Sequence, residues 1–280
     1  MGVAPTGDAC GSFVAVSGTG NATTTGPCDF GLVVQCAAIS GTGNATNNAA
    51  PVDAPAACSP TVDGGTVVGC LAASGTGDAT NNAGGPEKGG CDAVAIGVQV
   101  GCVGVSGTGN ATNNAGDFGC FSWRSGVLVG CLAVSGTGNA TNNATGILGG
   151  CNATTVVSDA GAAVGCLAVS GTGNATNNAT GTYGGCDAEV LFSDIGAVVG
   201  CLALSGTGNA TNNAAGGSGV PPPTGGCQAI GRFDDLPLGL FIGCLALSPT
   251  GTATNNAPPD GCTQQHQGAI GCLAFSEKGP

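Results

Sequence analysis

Ser135-Gly136-Thr137-Gly138-Asn139-Ala140-Thr141-Asn142-Asn143-Ala144 is the stretch whose reading decides the fold. It recurs unchanged at 40–49, 106–115, 170–179 and 205–214. Looser copies begin at Ser17, Ser74 (with Asp78 in place of Asn) and Ser248, and a ninth start at Ser276 breaks off into Glu277-Lys278-Gly279-Pro280. A period of this length marks a repeat architecture, in which each unit is too small to bury its own face and is stable only when stacked.

Each phrase follows a cysteine. The cysteines fall into consecutive pairs: 28/36, 58/70, 91/102, 120/131, 151/166, 186/201, 227/244 and 262/272, with Cys10 left over. Turn residues sit midway between them, as in Ser158-Asp159 and Ser193-Asp194. A turn there folds the segment back and sets its two cysteines opposite each other. This predicts a β-hairpin stapled at its base by Cys28–Cys36, Cys58–Cys70, Cys91–Cys102, Cys120–Cys131, Cys151–Cys166, Cys186–Cys201, Cys227–Cys244 and Cys262–Cys272. The pairs at 91, 120, 151 and 186 enclose 10, 10, 14 and 14 residues. Four extra residues put two on each arm, so every side chain keeps its face.

The arm after each second cysteine is read as an extended strand. Gly, Thr and Asn oppose helix, and no 3.6-residue apolar period is present. With period two from Leu132, Leu132, Val134, Gly136, Gly138 and Ala140 share an inner face. Ala133, Ser135, Thr137, Asn139, Thr141 and Asn143 share the other, which becomes a polar Thr/Asn row, with Thr108, Asn110, Thr112, Thr172, Asn174, Thr176, Thr207, Asn209 and Thr211 as copies. Copies stacked in parallel register give ladders with Asn over Asn and Thr over Thr.

The expected fold is therefore all-β: a disulfide-stapled, β-solenoid-like stack of about eight units of ~32 residues. It forms one repeat domain over 1–280, with an N-terminal half unit (1–27), repeats 28–57, 58–90, 91–119, 120–150, 151–185, 186–226 and 227–261, and a C-terminal half unit (262–280).

Composition sharpens what this stack can be. There are 56 Gly but only 8 Phe, one Trp and one Tyr, too few large side chains for a thick core. Lys and Arg number 4 against 16 Asp and Glu, a net charge of −12. No basic stripe exists to hold nucleic acid, and an anionic membrane is disfavoured as a partner. No apolar run is long enough to insert into a membrane, and Met1-Gly2-Val3-Ala4-Pro5 shows no signal-peptide pattern. Seventeen cysteines point to an oxidising compartment, hence a secreted or cell-surface protein. Zinc would need clustered ligand pairs such as C-x2-C, which are absent, so no metal or cofactor is expected.

Catalytic parts are scarce. His266 is the sole histidine and lies in the polar run Gln264-Gln265-His266-Gln267. The pair Asp234-Asp235 sits in a Pro-flanked turn with no matching partner. The recurring Asp29, Asp92 and Asp187 lack the converging oxygens of a calcium loop. Ser-Gly-Thr-Gly-Asn lacks the Lys of a phosphate loop. No enzyme is expected. Asn-Ala-Thr sequons recur, among them Asn21, Asn44, Asn139 and Asn174, and packed ladders leave a structural use for those Asn residues.

Two roles remain. The ends are unequal: an arm without a hairpin at the N-terminus, a hairpin without an arm at the C-terminus. Unlike ends can join head to tail into a filament of copies of this chain, and an odd Cys10 suits an intermolecular bond or a free thiol. The expected function is thus a structural subunit of an extracellular filament, appendage or surface layer. The alternative is binding of ice or a solid surface by the Thr/Asn row. That row resembles the Thr-rich faces of disulfide-stapled insect antifreeze solenoids in face type and cysteine density. Repeat length and Thr spacing differ, since Thr137 and Thr141 are four apart.

Overall fold

The structure, a computed structural model, describes residues 13–26, 34–49, 62–83, 91–116, 120–146, 151–181, 186–216, 227–232, 238–256, 262–265 and 270–277. They form two parallel sheets. The wide sheet contains β1 (Phe13–Ser17), β3 (Val34–Ser40), β5 (Val62–Ser74), β7 (Cys91–Ser106), β9 (Cys120–Ser135), β11 (Cys151–Ser170), β13 (Cys186–Ser205), β15 (Cys227–Arg232), β16 (Leu238–Ser248), β18 (Cys262–Gln265) and β19 (Ile270–Ser276). The narrow sheet contains β2 (Ala22–Gly26), β4 (Ala45–Ala49), β6 (Ala79–Ala83), β8 (Ala111–Ala115), β10 (Ala140–Gly146), β12 (Ala175–Gly181), β14 (Ala210–Gly216) and β17 (Ala253–Asn256). Successive copies of the repeat stack in register: Ala140 on Ala111 and Ala175, Asn142 on Asn113 and Asn177. The protein is a β-solenoid-like stack.

The sequence between paired cysteines does not form the expected antiparallel hairpin. Every strand pair among the described residues is parallel and joins one unit to the next, as β9, β11 and β13 do. Yet β11 does turn back on itself. The Cα atoms of Cys131 and Cys151 are 5.4 Å apart, and Cys131 pairs in register with Cys166. Cys151 and Cys166 are thus brought near each other, although fifteen extended residues would span roughly 50 Å. The segment is an arch. Its arms face each other through side chains and give their backbone hydrogen bonds to the units above and below. Ala153 on one arm and Ala163 on the other meet in one buried cluster with Leu128, Ala188 and Val198.

Side-chain parity survives this correction. The registers of β9 and β11 agree from Cys120/Cys151 to Arg124/Thr155, then from Val127/Ala162 to Cys131/Cys166. The four extra residues of β11 all lie at the arch tip, between Thr155 and Ala162.

Disulfide pairing is corrected as well. The bonds are Cys102–Cys120, Cys131–Cys151, Cys166–Cys186 and Cys201–Cys227. They replace Cys91–Cys102, Cys120–Cys131, Cys151–Cys166, Cys186–Cys201 and Cys227–Cys244. The sulfurs of Cys102, Cys120 and Cys131 lie within 4.8 Å of one another, so Cys120 faces the cysteine of its own unit and that of the preceding one. Sequence distance favours the nearer residue. The rise of the coil brings Cys120 into bonding distance of the earlier one. Each bond therefore ties the end of one unit to the start of the next, closing 18 to 26 residues of chain. Loops of that size contribute about 3 kcal/mol each in the chain-entropy picture. Cys36, Cys70, Cys244 and Cys272 are disulfide-bonded too. Cys10, Cys28 and Cys58 lie outside the described residues, as does the side chain of Cys262, and so the pairings expected for 28/36, 58/70 and 262/272 and the leftover Cys10 do also.

The core is thin. One buried column consists of cysteines with Ala83, Ala115, Ala144, Ala179 and Ala214; a second consists of alanines, among them Ala133, Ala140, Ala168 and Ala175. Among the described residues Leu128 and Val198 are the largest apolar side chains that are fully buried. Small residues let the two sheets close on each other without the aromatics this sequence lacks. Among the described residues no helix is long and apolar enough to cross a membrane. The disulfides are those of a chain that folds in an oxidising environment.

Candidate functional site: the Ser, Thr and Asn ladders

The repeated phrase is itself an arch. Leu132 to Ser135 belongs to the wide sheet, Gly136 to Asn139 makes the turn, and Ala140 onward returns in the narrow sheet. The turn resets the alternation. Ala133 and Ser135 point inward while Leu132 and Val134 are half-exposed; after the turn Ala140, Asn142 and Ala144 point inward and Thr141 and Asn143 are half-exposed. A single period-two count from Leu132 misassigned Leu132, Val134, Ala133 and Ser135 because it ran straight through this turn.

Each tip residue holds the one below it. Ser135 Oγ donates to the carbonyl of Gly109 at 2.8 Å. Thr137 Oγ1 donates to the carbonyl of Thr108 at 3.2 Å. Asn139 N donates to Asn110 Oδ1 at 3.0 Å, and Asn139 Oδ1 accepts from Asn174 N at 2.9 Å. That last role needs only an acceptor, which is why Asp78 can stand in this column: its carboxylate accepts from Asn110 N at 2.8 Å.

Two side-chain amide ladders run along the narrow sheet. The inner one is fully buried from Asn47 to Asn212. Asn142 Nδ2 donates to Asn177 Oδ1 and to the Leu167 carbonyl, both at 2.9 Å, while its Oδ1 accepts from Asn113 Nδ2 at 2.9 Å. Buried amides must be satisfied, and this geometry uses both N–H donors. At the start of the ladder the hydroxyl of Thr24 replaces an Asn and donates to Asn47 Oδ1. The outer ladder is half-exposed and runs with the opposite donor direction: Asn143 Nδ2 donates to Asn114 Oδ1, and Asn178 Nδ2 to Asn143 Oδ1, each at 2.8 Å.

The expected polar face thus divides in two. Thr108, Asn110, Thr137, Asn139, Thr172, Asn174, Thr207 and Asn209 are exposed along the rim made by the turns. Thr112, Thr141, Asn143, Thr176 and Thr211 are half-exposed on the outer surface of the narrow sheet. Asn142 and its copies, which carry the buried ladder, are not among the expected face residues. The available signal was the alternation Ala140-x-Asn142-x-Ala144, which places one Asn of each Asn-Asn pair among inward alanines.

Among the described residues the remaining candidates supply no site. The sulfur groups Cys102/Cys120/Cys131, Cys166/Cys186/Cys201 and Cys201/Cys227/Cys244 have a metal-like spacing, but disulfides occupy them. His266, Asp234 and Asp235 lie outside the described residues. What the ladders offer chemically is a fixed array of hydroxyl and amide groups, repeating at the strand spacing of about 4.8 Å. No protein-family model, curated protein or solved structure matches this chain.

Proposed function

We propose that this chain is a structural protein: a self-assembling subunit of an extracellular filament, appendage or cell-surface layer. The observation that carries the reading is the common register of the two end strands. Tracing pairs through the stack, Val14 shares a column with Leu273, Ala15 with Ala274 and Val16 with Phe275. Among the described residues β1 pairs only with β3, and β19 only with β16. Val14, Val16 and Phe275 are exposed there, at 60%, 71% and 55%. An open strand edge is a template for pairing with another chain. Copies joined β19 to β1 continue the wide sheet head to tail, a heterologous contact that does not close. The nearest strands of the narrow sheet, β17 and β2, are then two layers apart, so the junction is continuous in the wide sheet alone.

Electron microscopy of the natively purified protein tests this. Filaments with an axial repeat near 43 Å are expected, nine layers at about 4.8 Å each. A monodisperse monomer at high concentration, across pH and with or without calcium, contradicts it.

A second reading, binding of ice or a solid surface, rests on a different observation. Thr141, Asn143 and Thr145 line one outward face of a regular sheet, in register with Thr176, Asn178 and Thr180. Thermal hysteresis or inhibition of ice recrystallisation, lost in Thr176→Leu, supports it. Absence of both activities in the folded protein removes it.

A further inference from the structure

The outer surface of the wide sheet differs in kind from that of the narrow one. Inward positions on the return arm of each arch are fixed by Leu128, Ala163 and Val198, which meet the opposite arm. Inward positions on the constant arm are fixed in the same way: an added Cβ on Gly104 would lie 3.3 Å from Asn113 Oδ1 of the narrow sheet. Alternation then turns Ala162, Val164, Leu167 and Val169 of β11 outward, and their register partners in β7, β9 and β13 are aliphatic at all four positions. Val98, Val105 and Val127 are 42%, 37% and 47% exposed, most of the others are half-exposed, and Val100 and Val103 are buried at the centre of the face. The outward face of these strands is thus aliphatic, and that of the narrow sheet is Thr/Asn.

We propose that this aliphatic face is a lateral docking surface for a second copy of the chain, with the two slabs apposed wide sheet to wide sheet. Size supports the proposal. The four columns span about 23 Å along the strands and about 29 Å over the six layers from β5 to β16. Pairing two such faces buries roughly 1,300 Å² in total, within the range of stable protein interfaces. Apart from Thr66 in β5, every position of these columns is aliphatic, and an apolar surface of this extent is larger than soluble monomers ordinarily leave open. Spacing selects the partner. Aliphatic ridges repeat at the strand separation, and only a partner with the same repeat keeps ridges in grooves over the whole length. A second copy has that repeat by construction. Charge agrees: the molecule carries a net −12, yet these sixteen outward positions in β7, β9, β11 and β13 hold no ionisable group, so like charges need not meet at the contact.

The proposal does not depend on end-to-end assembly. Its test is sedimentation equilibrium of the oxidised full chain, with mass-per-length measurement of any filaments. The expected species is twice the 26.0 kDa chain. In filaments the expected linear density is about 1.2 kDa per Å, twice the value for a single slab nine layers deep. The variant Leu167→Thr/Val169→Thr/Leu202→Thr keeps strand-compatible residues and should weaken pairing at least about tenfold. Thr176→Lys, on the opposite face, should leave it unchanged. Wild-type protein that stays monomeric at ~100 µM, well above the range of specific complexes, or filaments of single-slab density, overturn the lateral contact. So does pairing lost in Thr176→Lys but retained in the triple variant. Dimers without filaments overturn only the end-to-end reading.

Discussion

Gly138 lies directly against Gly109: a Cβ added to Gly138 would sit 2.6 Å from the carbonyl carbon of Gly109 and closer still to its oxygen. The same relation links Gly173 to Gly138 and Gly208 to Gly173. At Gly18, in the first described coil, an added Cβ would meet nothing within 4 Å. The glycines of the phrase are thus required by the coil below, not by the turn alone. Gly138→Ala should destabilise the protein by about 1–3 kcal/mol or more through overpacking against backbone. Gly18→Ala should be neutral. Denaturant unfolding of the two variants side by side checks this.

The two Asn columns should answer differently to one substitution. Asn142→Ala strands the Asn113 amide, the Leu167 carbonyl and Asn177 Oδ1 in a dry interior. Each unmet buried group costs about 1–3 kcal/mol. Asn143→Ala breaks bonds that water can replace and should cost under about 1 kcal/mol. Urea midpoints of the two variants measure the contrast.

Aspartate should discriminate the tip from the core. Asn139→Asp keeps the acceptor that Asn174 N needs, as Asp78 does naturally, and should shift the melting temperature by no more than a degree or two, since a surface change is typically within ±0.5 kcal/mol. Asn142→Asp keeps Oδ1 but removes both donors and buries a carboxylate, so a loss of several kcal/mol is expected. Calorimetry on both variants gives the answer.

Deleting residues 136–170 should leave a folded, shorter stack. Ser135 and Ser170 occupy the same register position in adjacent coils, so the cut joins equivalent points, and Cys131 inherits Cys186 as partner. Circular dichroism should keep its β signal, and non-reduced mass should show no new free thiols. Loss of β structure would mean that the units are not interchangeable layers.

Much of this was legible in the sequence. The period of the phrase fixed a stack, identical copies fixed the register, and steps of four residues between cysteines preserved parity, as Val127 opposite Ala162 demonstrates. Three things were not legible. Turn residues at Ser158-Asp159 signal a reversal but do not say whether the arms bond to each other or to their neighbours. Cys120 has two cysteines within reach, and the rise of the coil, which leaves no mark in composition, favours the earlier one. The turn at Gly136–Asn139 restarts the alternation, so one continuous count is right for Asn142 and Asn143 but wrong for Leu132 and Val134.

The central claim is that the chain coils, each unit paired and bonded to the next. Disulfide mapping tests it most directly. The non-reduced protein, with thiols blocked and digestion kept at acid pH to prevent exchange between neighbouring sulfurs, is cleaved and its linked peptides identified by mass spectrometry. Coiling predicts Cys102–Cys120, Cys131–Cys151, Cys166–Cys186 and Cys201–Cys227. Finding Cys120–Cys131 and Cys151–Cys166 instead would contradict the bonding of each unit to the next.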